Sequence, residues 1–230
     1  AHFRAAFEQE RLLLIIAGEG GSGKTSLACQ IARWAMAEQS DERLAEHRML
    51  PVFIEHGWST LSPNGSSPLQ ETIQRQAQSL LGEDESISLE LLEQLLLNKR
   101  ILVIIDHLPE LSEERRRLIS GAIAPSLSVG ALVVTEQSSG AGLAGEACKV
   151  VPCPIELDSI AEFLSAYLKQ SGKRDLFTDR EFLEACVRLA EMAGDRTITS
   201  LLARTYAEQM VAAKEAIRTR PLPGNIPDLF

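Results

Sequence analysis

The chain has 230 residues, 45% of them hydrophobic and 24% charged, with a formal net charge of −9 and a pI near 5.1. That length buries a real core and fits one large domain, or one domain with a small annex. The acidic balance argues against a nucleic-acid partner, because phosphate backbones are held by Lys and Arg. No run approaches the roughly 18 apolar residues of a membrane span. The N-terminus lacks the basic-then-apolar pattern of a signal peptide, so no membrane association is expected and the expected location is cytoplasmic. Cys29, Cys148, Cys153 and Cys186 form no C-x-x-C and have no nearby histidine pair, so reduced thiols are expected in place of a zinc or redox site.

In chain order, the first strand-length apolar run is Leu12–Ala17, followed by "GEGGSGKTS" and a helical pattern over Lys24–Glu38. Further strands are expected at Leu50–Glu55, Ile101–Ile105, Ala131–Thr135 and, more weakly, Lys149–Val151. Helices are expected at Leu69–Leu81, Leu89–Leu97 and Glu113–Ala124, and the Gly/Ser/Pro-rich stretch 57–68 reads as a loop. This alternation predicts an α/β domain with a mostly parallel sheet. The basic cluster "EERRRL" opens with two acids and reads as a solvated helix face. After Pro154 the pattern becomes helical only, over Ser159–Gln170, Arg180–Ala193 and Ile198–Arg218, with Asp158 expected as an N-cap. The expected division is a nucleotide-binding core over 1–154, a helical annex over 155–220, and the start of a linker or next domain over 221–230. The opening "AHFRAAFEQE", without a methionine, and the closing "PLPGNIPDLF" read as a piece cut from something longer.

Gly18, four residues, then Gly23, Lys24 and Thr25 satisfy G-x-x-x-x-G-K-[ST] between a strand and a helix. In such a loop, glycine frees successive backbone N–H groups to converge on phosphate at a helix N-terminus. Gly18, Gly20, Gly21, Ser22, Gly23, Lys24, Thr25 and Ser26 are the expected nucleotide-binding residues. Lys24 reaches the terminal phosphates, and the Thr25 hydroxyl holds Mg²⁺. A second acid is needed to anchor the metal through its water shell, and "RILVIIDHLPE" places Asp106 at the end of an apolar strand. Glu110 is the candidate to orient or deprotonate an attacking water. Thr135, closing "ALVVT", is the candidate sensor of the γ-phosphate. His107 adjoins Asp106, but strand alternation turns it away from the metal, so a packing role is expected. Trp34 reads as core.

Taken together, "GEGGSGKTS", "LVIIDHLPE", "LVVTEQ" and "TITSLLARTYAEQM" resemble the NACHT-like branch, of bacterial type, of the STAND signal-transducing ATPases. The resemblance implies a three-layer P-loop NTPase core with an extra strand between the P-loop strand and the Asp strand, followed by a small helical domain. It also implies an ATP/ADP-dependent switch using Mg²⁺, effector and sensor domains in the same full-length chain, and a nucleotide-dependent homo-oligomer. Several positions depart from that pattern. His107 replaces a small residue, and Pro109 replaces an acid, leaving Glu110 alone. Glu136 and Gln137 follow Thr135 where relatives often carry an arginine. Ser200 stands where a proline is expected near the nucleotide, and no winged-helix segment is recognisable. Slow hydrolysis is therefore expected. A scaffold that holds nucleotide without turning it over is the rival reading. A P-loop kinase is weaker, because "SGKRD" makes a thin lid, and a GTPase weaker still, because "NKRI" lacks the Asp and precedes a strand.

Overall fold

The computed structural model describes residues 2–54, 67–82, 87–106, 129–137, 147–194 and 197–215. By their contacts these residues fall into two compact units: one comprises the chain up to Glu19 and Lys24–Pro152, the other Gly20–Gly23 and the chain from Cys153 onward.

The first unit is built on five strands: β1 (Leu12–Ala17), β2 (Leu50–Ile54), β3 (Ile101–Ile105), β4 (Ala131–Glu136) and β5 (Cys148–Val150). Every pairing is parallel, and the order is β2-β3-β4-β1-β5. β4 thus lies between the strand that feeds the glycine loop and the strand that ends before Asp106, as the resemblance implies. All residues of β1, β3 and β4 are buried, which accounts for their near-continuous apolar sequences. Two helix layers supply the cover. Leu13 and Ile15 pack with Ile73 of α3 (Pro68–Leu81) and with Leu92 and Leu96 of α4 (Leu89–Leu97). On the opposite face, Leu14 and Ile16 pack with Ile31 of α2 (Lys24–Met36) and Phe7 of α1 (His2–Glu8). Each such side chain removed from water contributes about 1.5–3 kcal/mol.

Local signals set the ends. Pro68 opens α3, and Gly82, at φ 67°, closes it with its N–H donating to the Gln78 carbonyl. The Ser88 hydroxyl caps α4 by accepting from the Leu91 N–H at 3.2 Å. α1 was not expected, since seven residues carry too little periodicity to register as a helix. It is held instead by a tertiary device. Lys99, left-handed at φ 52°, donates from Nζ to the carbonyls of Phe7 (3.1 Å) and Gln9 (2.6 Å), placing a cation at the C-terminal end of α1. The expected helix Glu113–Ala124, Glu55 and the loop 57–66 lie outside the described residues.

The second unit contains α5 (Ile160–Gln170), α6 (Asp179–Ala193) and α7 (Ser200–Glu215), with an isolated antiparallel bridge between Ile155 and Ile198. Asp158 does not cap α5. A 3₁₀ turn, Leu157–Ser159, winds the chain first through the Ser159 N–H to Glu156 carbonyl bond, so Asp158 sits inside the turn and Ser159 takes the N-cap position. α6 opens with a full capping box between Thr178 and Glu181. Lys214, by its hydrogen bond, and then the Thr178 N–H and hydroxyl hold the pKa of the Glu181 carboxyl down to about 2. Tyr206 is fully buried against Ala185, Leu189 and Leu164, its hydroxyl has no partner, and burial pushes its pKa up to about 12. A buried donor without a partner costs about 1–3 kcal/mol. Tyr206→Phe is therefore expected to leave stability unchanged or raise it by about 1 kcal/mol. A clear fall in the thermal midpoint of Tyr206→Phe would show that the hydroxyl does serve the fold.

Candidate functional site

In a parallel α/β sheet, ligands gather beyond the carboxyl ends of the strands. Here β1 runs directly into the glycine loop, β3 delivers Asp106, and β4 ends in Thr135 and Glu136. The register aligns Ile16 with Thr135 and Ala17 with Glu136, and the Gly18 N–H continues the ladder to the Glu136 carbonyl at 3.2 Å. The start of the loop is therefore fixed to the end of β4.

The Thr25 hydroxyl, on the first turn of α2, donates to Asp106 Oδ2 at 2.8 Å. The Thr135 hydroxyl donates to the other oxygen, Oδ1, of the same carboxylate. Residues drawn from three elements, and far apart in sequence, thus converge on one acid. Lys24 folds back so that Nζ donates to the carbonyls of Gly18 (2.9 Å) and Glu19 (2.7 Å).

The loop tip shows why glycines are needed. Gly21 and Gly23 have φ of 74° and 95°, which L side chains rarely adopt. Within the second unit, the Gly21 carbonyl accepts from the Leu201 N–H and the Ser200 hydroxyl, both at 3.2 Å. A Cβ on Gly23 would lie 2.8 Å from Ser200 Oγ. Ser22 Oγ is buried with no hydrogen-bond partner. Within Gly20–Gly23, the orphaned Ser22 hydroxyl and two glycines in left-handed geometry suit an anion such as nucleotide phosphate. The Thr25 and Asp106 oxygens suit a hard divalent cation such as Mg²⁺.

A family model described as the NACHT domain matches residues 12–171. The chain belongs to the NACHT domain family. It is thus related to P-loop nucleotide-binding NTPase modules, and the match spans every strand of the sheet that carries the site. Among solved structures, PCH-2 from C. elegans superposes with a TM-score of 0.52 at 13% identity over 99% of this chain and 63% of its own, a likeness of fold alone. Two mutant forms of RuvB from Thermotoga maritima give 0.42 and 0.40 at 13% and 15% identity. They cover 90% and 86% of this chain and 66% and 63% of their own. The chain thus spans less than two thirds of the length of these relatives. No curated protein sequence matches the chain significantly.

Of the residues expected from sequence, Lys24, Thr25, Asp106 and Thr135 lie at the carboxyl end of the NACHT sheet, with Gly18 bonded to β4. Ser26 lies on the first turn of α2. Glu110 and His107 lie outside the described residues. Trp34 is half-buried and packs on the core cluster between α2 and the sheet, as expected of a core residue. Two residues acquire a place that spacing did not give them. Ser200 opens α7 and bonds to the loop, and Glu136 closes β4 in a buried position. An acid directly after the strand-end Thr135 was the one available signal for Glu136.

Proposed function

We propose that this NACHT chain is a regulatory switch module that binds ATP or ADP with Mg²⁺ and turns ATP over slowly, within a larger signal-transducing protein. The observation that carries this reading is the shared carboxylate, with Asp106 accepting from both Thr25 and Thr135. It ties the loop helix to the strand between β1 and β3, so a change at the phosphates is felt by both.

In this reading Lys24 turns from the Gly18 and Glu19 carbonyls to the terminal phosphates. The backbone N–H groups of Gly20, Gly21, Ser22 and Gly23 surround the phosphate oxygens, and the Ser22 hydroxyl gains the acceptor it lacks. Thr25 and Asp106 hold the metal, which supplies neutralisation of the charge developing on the transferred phosphoryl group. Thr135 senses the γ-phosphate, and Glu110 orients the attacking water. Fast turnover also needs positive charge on the transition state, and Glu136 and Gln137 stand where an arginine would supply it. We assign the nucleotide core to 1–154, the helical annex to 155–220 and the start of a linker to 221–230. Effector and sensor domains in the full-length chain and a nucleotide-dependent homo-oligomer complete the reading. A cytoplasmic setting is consistent with it, and no helix among the described residues is long and apolar enough to cross a membrane.

Steady-state phosphate release tests the proposal. Typical enzymes turn over about 10 times per second, whereas unassisted regulatory GTPases reach about 0.01 per second or less. The expected rate here is below about 0.1 per second, with ADP recovered on denaturing the purified protein. Turnover at ordinary enzyme rates, abolished by Glu110→Gln, would make the chain a working ATPase instead of a switch.

A further inference from the structure

Ser200 stands where a proline is expected, and its hydroxyl has no task in the site as proposed above. Helix α7 does not use that hydroxyl either. The cap at the start of the helix is Thr199, whose hydroxyl accepts from the Leu202 N–H at 3.2 Å and whose carbonyl accepts from the Ala203 N–H at 3.1 Å. Ser200 is the first helical residue, a position that suits proline because the N–H there has no partner within the helix. Proline would bring no donor. The serine hydroxyl instead donates to the Gly21 carbonyl at 3.2 Å, beside the Leu201 N–H that meets the same oxygen.

Both donors act on one peptide. The Gly21–Ser22 bond is trans, so the Gly21 carbonyl and the Ser22 N–H point in opposite directions across one rigid plane. Fixing the oxygen therefore fixes the amide. That N–H is one of the four assigned to the phosphate oxygens, and the same residue carries the buried hydroxyl that has no partner. So close an approach needs glycine on the loop: a Cβ on Gly21 would lie 2.9 Å from Leu201 Cβ, and one on Gly23 would lie 2.8 Å from Ser200 Oγ. Glycine also leaves the loop many conformations, and ordering them on binding costs affinity. A peptide held in advance avoids part of that cost.

Resting on the nucleotide reading above, we propose that Ser200 is a positioning residue of the phosphate cradle: by holding the Gly21 carbonyl, its hydroxyl sets the Ser22 amide and hydroxyl for the phosphate oxygens before nucleotide arrives. The serine acts through the loop and does not itself touch the ligand.

Calorimetry with ADP and Mg²⁺ tests this on the unmodified chain, Ser200→Ala, Ser200→Thr, Ser22→Ala and the double variant Ser200→Ala/Ser22→Ala, with the thermal midpoint of each measured without ligand. Ser200→Ala removes one of two donors on a single carbonyl and is expected to weaken ADP by about two- to tenfold with the midpoint unmoved. Ser200→Thr keeps the hydroxyl and is expected to restore most of that loss. Because Ser200 works through Ser22, the double variant is expected to lose less than the product of the two single losses. Unmoved affinity in Ser200→Ala overturns the proposal, as does a loss matched by a lower midpoint, since the serine would then be holding the fold. Equal losses in the alanine and threonine variants, or fully multiplicative losses in the double variant, also overturn it. No ADP binding by the unmodified chain removes the nucleotide reading and this proposal together, whereas the other adverse results remove the proposal alone.

Discussion

Lys24→Ala is expected to weaken ATP and ADP binding by about ten- to a hundredfold while leaving the sheet intact. A charge-assisted hydrogen bond to phosphate is worth on the order of 1.5–3 kcal/mol, which is that range in affinity. The lysine already places two donors on the Gly18 and Glu19 carbonyls, so the gain on binding is an exchange of partners for a charged one. The truncation also leaves those two carbonyls without the donor that now draws them inward. Both effects act on the loop, because Lys24 starts α2 and contributes nothing to the core cluster beneath it. Calorimetry on the folded variant is the check, and unchanged affinity would end the phosphate-cradle reading.

The second large effect is expected at Asp106. Its carboxylate receives the hydroxyls of Thr25 and Thr135, and in the nucleotide-bound site it is assigned to the metal's water shell. Asp106→Ala should therefore weaken nucleotide binding by about tenfold or more when Mg²⁺ is present, and by less than about twofold in EDTA. Loss of a Coulombic partner explains the first number, and its irrelevance without the metal explains the second. Equal loss in both titrations would mean that the acid serves as a structural tie between the two threonines.

The fold was legible in the sequence where a single force decides. β1, β3 and β4 are buried on both faces, so "LLLII", "ILVII" and "ALVV" announce themselves as apolar runs. The loop was legible because phosphate geometry demands glycines and a lysine at fixed spacing, and Lys24, Thr25 and Asp106 followed from it. Legibility failed where distant residues decide. Helix α1 is fixed by Lys99, some ninety residues on, and its own seven residues say little. Asp158 has the composition of a cap, but a preceding 3₁₀ turn moved the cap to Ser159. Ser200 and Glu136 looked like departures from a pattern. Only the register of β1 with β4 and the start of α7 showed what those side chains face.

The position of β4 also matters to how the chain reaches its native state. Residues 131–136 must insert between strands formed by residues 12–17 and 101–105, so the ribosome delivers the middle of the sheet after its neighbours on both sides. Pairings of such sequence separation are slow, because the entropy of loop closure is lost before the contacts compensate for it. Until that strand is seated, Thr135 cannot meet Asp106 and the Gly18 N–H has no carbonyl to meet. Nucleotide capture would thus double as a maturation signal: a chain that has not closed its sheet has no finished cradle, and the ligand selects against it.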